Sequence, residues 1–250
     1  MMSKSLTLAA ASLALLAACS AEKGGNAATA SGPVAATPVA APNGGDWSTV
    51  TVATPEGGML MGNPAAKVKL IEYGSLTCPH CREFDEKGAK PLIDNYVKKG
   101  LVSWEFRNFV RDPYDITATL VARCGGPASF FGLMRSFYAS QDEWVGKLQA
   151  IDPAKIQAMQ TMTPQAQFAA IADAAGFPAF AALRGVPRAK TAACLADPNA
   201  ATKLVQVNSD VVAQYPTFPG TPTFLLNGKM VDNTATWELL EPKLREALGG

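Results

Sequence analysis

Two cysteines separated by two residues, in the order Cys78-Pro79-His80-Cys81, stand between a predicted strand and a predicted helix. Residues 68–73 are mostly apolar and rich in strand-forming side chains, which is typical of a buried strand. A helix is predicted from the motif to about Lys99, because Pro79 suits its first turn and Gly100 suits its end. Cysteines three positions apart at a helix start bring their sulfur atoms within bonding reach. The motif therefore predicts a strand–turn–helix unit with thiol chemistry at the turn.

A second predicted strand, residues 102–109, follows this helix directly. Strand, helix and strand of this length form a βαβ unit, so the two strands are expected to be parallel. Thr77 is a suitable N-cap for the helix, and Pro91 inside it is expected to produce a kink. The sequence thus places the cysteine motif at the end of one strand of a parallel pair.

The chain then becomes helical over residues 113–215, where apolar residues recur every three or four positions in Ala-rich segments. The predicted helices cover residues 116–124, 129–140, 154–162, 165–175 and 200–214. Strand signals return at residues 223–226 and 229–231, on either side of the hairpin turn Asn227-Gly228, and an amphipathic helix covers residues 236–248. The order βαβ, helical block, ββα predicts an α/β fold with a four-stranded mixed sheet and helices on both faces.

The order of the two cysteines predicts their roles in thiol–disulfide exchange. Cys78 gains from the unpaired N–H groups and the positive dipole end of the helix, so it is the predicted nucleophile. Cys81 is the predicted resolving thiol, and His80 between them favours a thiolate when protonated or hydrogen-bonded. The alternatives are an inert structural disulfide and a zinc site, but zinc needs about four ligands. The remaining candidates, Cys124 and Cys194, are far apart and have no neighbouring cysteine or histidine, so no metal site is predicted.

Composition excludes several other kinds of chemistry. His80 is the only histidine among 250 residues, so a Ser-His-Asp triad or a multi-histidine metal site would have to use a residue inside the cysteine motif. The formal net charge is +1, which gives no indication of a nucleic-acid partner. These observations favour the cysteine pair as the chemical centre.

The N-terminus has the pattern of an export signal. Lys4 precedes an apolar run that ends at residue 18, and residues 1–18 are predicted to be a signal peptide. Cys19 follows small residues and resembles the lipid-modified cysteine of bacterial lipoproteins; a plain signal peptide is the alternative. Residues 19–58 contain little apolar bulk and are predicted to be a flexible tether. Export implies a compartment in which disulfides persist.

Together these motifs resemble the DsbA family of disulfide oxidoreductases in the thioredoxin superfamily. The resemblance rests on residues 70–81, on the helical block, and on Phe218-Pro-Gly-Thr-Pro-Thr-Phe224, which is similar to the cis-proline loop of that family. It implies a thioredoxin-like fold whose two parts are residues 59–112 and 216–250. The helical domain inserted between them is residues 113–215.

The resemblance also implies roles for four residues outside the cysteine motif. Pro222 matches the cis-proline that faces the cysteines, with a trans proline as the alternative. Thr221 and Gly220 beside it match the segment that pairs with an extended substrate peptide. Glu72 matches a buried acid beneath the disulfide, with a raised pKa and a role in proton transfer. The alternative for Glu72 is a solvent-facing carboxylate at a strand edge.

A structural disulfide between Cys124 and Cys194 is expected from the same resemblance, and two separate buried thiols are the alternative. Sequence alone does not show that the two residues meet.

The activity that the resemblance implies is the introduction of disulfides into exported proteins with free cysteines. It requires no cofactor beyond the redox-active Cys78–Cys81 disulfide, and it implies a DsbB-type membrane protein as reoxidant. The expected location is the periplasmic side of a bacterial membrane, held by a lipid on Cys19, with a soluble periplasmic protein as the alternative. The alternatives are a reductase or isomerase of the same fold and a non-catalytic thioredoxin-like lipoprotein. The Pro79-His80 dipeptide argues against a strongly reducing pair, and a tether in place of a dimerising region argues against an isomerase.

Overall fold

The computed structural model describes residues 36–250, which belong to one compact unit. The predicted signal peptide at residues 1–18, the predicted lipid site Cys19 and the first part of the predicted tether lie outside the described residues. Within the described part of the chain, no helix is both long and apolar enough to cross a membrane.

A mixed sheet of six strands runs through the described residues in the order β1-β2-β4-β3-β5-β6. The strands are β1 (Thr51–Ala53), β2 (Met59–Met61), β3 (Val68–Gly74), β4 (Val102–Asn108), β5 (Thr223–Leu226) and β6 (Lys229–Val231). β3 and β4 pair in parallel, which confirms the βαβ prediction, and the other neighbours are antiparallel. Gly74 pairs with Asn108, so the cysteine motif leaves the sheet at the edge where β4 also ends.

The sheet has two strands more than the four that were predicted. β1 and β2 extend it beyond β4, where Leu60 pairs with Glu105 and Val52 pairs with Leu60. Each of these strands has three residues. Such short strands are stabilised by their neighbours rather than by their own propensity, so periodicity did not reveal them.

The segment predicted to be a flexible tether up to residue 58 is structured in its later part. It contains two 3₁₀ turns, Pro42–Gly44 and Trp47–Thr49, and then β1. The Trp47 indole N–H donates to the Val39 carbonyl (3.0 Å), and the Val39 N–H donates to the carbonyl of Lys99 (2.9 Å). These contacts compensate for the low apolar content of the segment, so the boundary predicted at residue 58 is too late.

The helix that follows Cys78 reaches Val97 in four consecutive stretches. They are α1 (Pro79–Phe84), a π-helical stretch (Asp85–Ala89), α2 (Lys90–Leu92) and a second π-helical stretch (Ile93–Val97). Pro91 lies in α2 between the π-helical stretches, and it has no N–H to donate to the preceding turn. The helix type changes on both sides of Pro91, whereas the kink expected at this residue stays a prediction.

Within the described residues, eight α-helices lie between β4 and β5. They are α3 (Pro113–Arg123), α4 (Pro127–Ala139), α5 (Gln141–Gln149), α6 (Pro153–Gln160), α7 (Pro164–Ala175), α8 (Phe177–Ala182), α9 (Arg188–Ala196) and α10 (Pro198–Gln214). Five of them correspond to predicted helices, whereas α5, α8 and α9 were not predicted. Each of the five observed helices that match a prediction starts at a proline, because the first helical position needs no N–H donor.

The helical block and the sheet share one hydrophobic core. Trp104 of β4 contacts Phe131 of α4 (ring centroids 5.1 Å apart), and Phe106 contacts Phe130 (5.9 Å). The chain ends in α11 (Trp237–Leu248), whose predicted apolar stripe is buried. The stripe consists of Trp237, Leu240, Leu244 and Leu248. A shared core therefore packs the helical block against the sheet from which the cysteine motif leaves.

Candidate active site

Cys78 is itself the N-cap of α1, a role that was predicted for Thr77. Its backbone is extended (φ −84°, ψ 120°), and its Sγ accepts a hydrogen bond from the Cys81 N–H at 3.4 Å. Pro79 occupies the first helical position, as predicted. The thiol therefore takes the place of the oxygen that usually caps a helix, where unpaired N–H groups stabilise a negative charge.

Hydrogen bonds lower the pKa of the Cys78 thiol from its ordinary value of 9.0 to about 5. The largest cause is a hydrogen bond from the Cys81 thiol, and Thr221 and the backbone of Cys81 and His80 act in the same direction. Partial burial opposes them by raising the pKa. Cys78 is thus a thiolate at neutral pH, as a nucleophile in disulfide exchange must be.

Cys81 has the opposite environment. Its side chain is fully buried, and burial is the main reason that its pKa lies well above the ordinary value. The hydrogen bond to Cys78 and the charge on Cys78 raise it further. Both cysteines are free thiols in this structure. Cys78 is itself only 3% exposed, so the asymmetry lies in the two pKa values, which agree with Cys78 as the nucleophile and Cys81 as the resolving thiol.

The His80 imidazole is directed away from the sulfur atoms. Its side chain is 73% exposed, and Nδ1 lies 3.8 Å from Glu83 Oε2. Its backbone N–H, by contrast, contributes to lowering the Cys78 pKa. The predicted assistance from His80 therefore comes from its main chain, because the helix turns its side chain towards solvent.

The Thr221–Pro222 peptide bond is cis, in agreement with the expectation from the resemblance. The Cys78 Sγ lies 3.3 Å from the Thr221 carbonyl oxygen, to which its protonated thiol form donates, so this loop lies directly against the nucleophile. An open cavity of about 550 Å³ extends from here towards β6. It is lined by Gly220, Thr221, Pro222, Met230 and the segment that follows β6. The arrangement provides a groove next to the reactive sulfur.

Glu72 is buried in β3, so the solvent-facing alternative is excluded. Only 1% of the residue is exposed, and burial raises its pKa well above the ordinary range. The Trp104 indole N–H donates to Glu72 Oε2 at 3.0 Å and opposes this shift. Charge on Cys78 contributes to the raised pKa, which shows that the carboxyl group is within electrostatic reach of the cysteine pair.

A second buried acid, Asp85, was not predicted. It raises the pKa of Glu72, and its own pKa is raised to about 6 by burial. The Arg135 guanidinium of α4 partly offsets this by donating to Asp85 Oδ1 at 3.1 Å. Asp85 follows Cys81 by four residues, so helical spacing alone would have placed both on one face.

Trp104, the hydrogen-bond donor to Glu72, was not predicted either. It lies on β4, which pairs with the strand of Glu72, and only the register of these two strands could have identified it as a partner.

Cys124 and Cys194 are joined by a disulfide that links the end of α3 to α9 across 70 residues. This is the pairing that the resemblance implied. Among the described residues, no group of three or more histidine, cysteine or acidic side chains is arranged to hold a metal ion.

We expect the reduced protein to lose its thiolate ultraviolet absorbance with a midpoint near pH 5 on acidification, because the Cys78 pKa is about 5. The folded pKa lies below that of the unfolded chain. Thiolate stabilisation of the reduced protein is therefore complete above pH 9.0, declines as pH falls, and is lost below about pH 5. The Cys78→Ser variant is the control for assignment. A midpoint near 9 would contradict the hydrogen-bonded geometry.

Comparison with known proteins gives consistent matches. The family model described as thioredoxin matches residues 54–245. The crystal structure of a protein-disulfide isomerase from Novosphingobium aromaticivorans is 37% identical, with 76% of this chain and 97% of that chain covered and a TM-score of 0.72. Wolbachia pipientis alpha-DsbA1 shares the fold at 20% identity, with 79% and 94% covered and a TM-score of 0.60.

A Rickettsia bellii protein named "Putative protein-disulfide oxidoreductase" is 26% identical over 185 residues, which cover 74% of this chain and 62% of that protein. The chain spans about three fifths of the length of the curated Rickettsia relatives that it matches.

Proposed function

The chain belongs to the thioredoxin family and has the fold of its DsbA-like members, and on this premise we propose that it introduces disulfides into exported proteins. The observation that carries the proposal is the environment of Cys78, whose pKa of about 5 favours the thiolate. A stabilised thiolate favours the reduced form of the pair, which makes its disulfide a stronger oxidant. The protein thereby accepts electrons from substrate thiols.

In the first step, a substrate thiolate attacks Sγ of Cys78 in the Cys78–Cys81 disulfide. A mixed disulfide forms between substrate and Cys78, and the bond to Cys81 breaks with release of the Cys81 thiolate. In the second step, another substrate thiolate attacks the substrate sulfur of the mixed disulfide. The substrate disulfide forms, Cys78 leaves as a thiolate, and two electrons have passed from the substrate to the cysteine pair.

Glu72 supplies the proton that Cys81 needs in the first step. The raised pKa of Cys81 means that its thiolate takes up a proton at neutral pH. Burial raises the pKa of Glu72 and so favours its protonated form, and the carboxyl group is within electrostatic reach of Cys81. Asp85 acts on the pKa of Glu72, and although Asp85 is buried its ion-pair partner Arg135 is 39% exposed, so Asp85 provides a route by which the proton is replaced.

Substrates bind as extended peptides beside the cis-proline loop. The Thr221 backbone, with Gly220 and Pro222, offers an edge next to Cys78, and the adjoining cavity accommodates side chains without strict selection. The substrates in this proposal are unfolded exported proteins with free cysteines. Reoxidation is assigned to a DsbB-type membrane protein, and lipid modification of Cys19 would keep the domain on the periplasmic side of the membrane.

The main competing function is isomerisation of incorrect disulfides. It is favoured by the relative at 37% identity, which is described as a protein-disulfide isomerase. An isomerase uses the reduced pair, and the Cys78 thiolate attacks a disulfide of the substrate. The same site supports both reactions. The reduction potential of the pair distinguishes a disulfide donor from a reductase, and a refolding assay distinguishes an oxidase from an isomerase.

We expect equilibration of the purified protein with glutathione buffers to give a Cys78–Cys81 potential near about −120 mV, because the thiolate is strongly stabilised. Recovery of ribonuclease activity is then measured from two substrates. Recovery from reduced ribonuclease reports oxidase activity and recovery from scrambled ribonuclease reports isomerase activity, with the Cys78→Ser variant as the control. A potential near about −270 mV, as in thioredoxin, would identify a reductase and refute the oxidase proposal.

A further inference from the structure

The loop that carries the nucleophile, residues 75–78, is held at its first half by two buried side chains of the helical block. Asp115 of α3 accepts hydrogen bonds from Ser75 Oγ (2.6 Å) and from the Leu76 N–H (3.0 Å). The Tyr138 hydroxyl of α4 donates to the Ser75 carbonyl at 3.1 Å. Asp115 and Tyr138 therefore hold Ser75 and the N–H of Leu76 without any contribution from α5.

Gln141 holds the second half of the same loop. It is the first residue of α5 and is 4% exposed. Its Nε2 donates to two carbonyls, that of Leu76 at 2.7 Å and that of Cys78 at 3.1 Å. The neighbouring Asp142 forms an ion pair with Arg82 of α1, which connects the start of α5 to the helix that Cys78 caps.

The contact with the Cys78 carbonyl determines the conformation on which the thiolate depends. The carbonyl of Cys78 accepts from the Arg82 N–H (3.2 Å) as well as from Gln141, so it is held from two sides. Its direction follows from the extended ψ angle of Cys78, 120°. At this angle Sγ lies against the Cys81 N–H and the Thr221 carbonyl. Without Gln141 only the Arg82 N–H holds this carbonyl, so the sulfur is held less firmly beside the N–H groups of His80 and Cys81 that lower its pKa.

We propose that Gln141 is a positioning residue for the nucleophile: it holds the carbonyls of Leu76 and Cys78 so that Sγ of Cys78 stays over the first turn of α1. The inference rests on the proposed thiol–disulfide function and adds a residue of the helical block that controls the redox balance of the pair. It also gives the insertion a chemical role, since it supplies a contact that the strand–turn–helix unit lacks.

A purely structural role for Gln141 predicts a different result. If the side chain only filled space or satisfied buried carbonyls, its loss would lower the stability of the fold and leave the Cys78 titration unchanged. If it positions the nucleophile, its loss raises the titration midpoint of Cys78 and makes the disulfide less oxidising in a protein that remains folded. Asp115 and Tyr138 still hold Ser75 and Leu76, so the fold is expected to tolerate the change.

The test compares Gln141→Met, which keeps side-chain length and removes both donors, with Gln149→Met on the exposed end of the same helix. For Gln141→Met we expect the acid dissociation constant of Cys78 to decrease threefold to tenfold. The equilibrium constant for oxidation of glutathione by the disulfide should decrease by the same factor, because each change corresponds to about one lost hydrogen bond. Gln149→Met should match the parent protein. Circular dichroism and denaturant unfolding establish that each variant is folded.

Gln141→Leu provides a second variant if Gln141→Met does not fold. It removes both donors and adds no charge near Cys78, so it should raise the Cys78 midpoint by a similar amount. An unchanged midpoint in a folded Gln141 variant overturns the inference. If the midpoint moves while the parent has a potential near about −270 mV, the oxidase proposal fails and the positioning role of Gln141 stands.

Discussion

Replacing Cys78 with serine is expected to reduce dithiol oxidation to the uncatalysed rate, whereas Cys81→Ser is expected to trap substrates as mixed disulfides. Cys78 is the low-pKa thiol of the pair, and the buried Cys81 thiol has a raised pKa and does not replace it. In Cys81→Ser, glutathione disulfide converts Cys78 to a mixed disulfide with glutathione, and a single-cysteine substrate then displaces the glutathione. Neither Cys81 nor a second substrate thiol is present to release that substrate from Cys78. The measurement is the initial rate of oxidation of a dithiol peptide with glutathione disulfide, combined with mass spectrometry of trapped complexes.

The matched control for this experiment is the double variant Cys124→Ala/Cys194→Ala, which removes the other two described cysteines and leaves the pair intact. We expect it to oxidise the peptide at the parent rate. A Cys78→Ser protein that retains the parent rate, or mixed disulfides that form on Cys124 or Cys194, would refute the assignment of the nucleophile.

The same double variant is expected to lower the free energy of unfolding by about 4 kcal/mol, which is the chain-entropy value for a loop of this length. The disulfide closes a loop of 70 residues between the end of α3 and α9, so it restricts the unfolded chain strongly. Denaturant unfolding followed by circular dichroism gives the difference, with the Cys78–Cys81 pair oxidised in both proteins.

Removal of both cysteines is preferable to removal of one, because a single remaining thiol can exchange with the catalytic pair. The Cys78 titration midpoint of the reduced double variant should stay near pH 5, since the disulfide makes none of the hydrogen bonds that lower that pKa. A loss of less than about 1 kcal/mol would mean that the denatured chain gains little freedom when the bridge is absent.

The elements that the sequence predicted well have strong local signals. β3 is a short apolar run followed by a helix start, and β5 and β6 flank the Asn227-Gly228 turn, where both residues have positive φ. The fold class was also predictable, because βαβ and ββα units separated by helices admit few arrangements. The comparisons confirm the thioredoxin-like fold.

The elements that the sequence did not predict are short and depend on neighbours. β1 and β2 exist because β4 offers an edge, and α5 exists because Trp144 and Leu148 are buried beneath it. Helices and strands of this length have little stability of their own, so their local sequences carry a weak signal. The same reason explains the structured end of the predicted tether, which contacts Lys99 through Val39.

The sequence by itself determined the chemistry of this protein and the direction of its asymmetry. A cysteine that starts a helix is stabilised as a thiolate, and one three residues later is buried, because both consequences follow from helix geometry. Only the tertiary structure decided which distant groups contact the site: the carbonyl of Thr221, the indole of Trp104 and the amide of Gln141. These groups lie far from the cysteines in the chain. They reach the site because strand register and helix packing bring them there, and no local periodicity encodes that convergence.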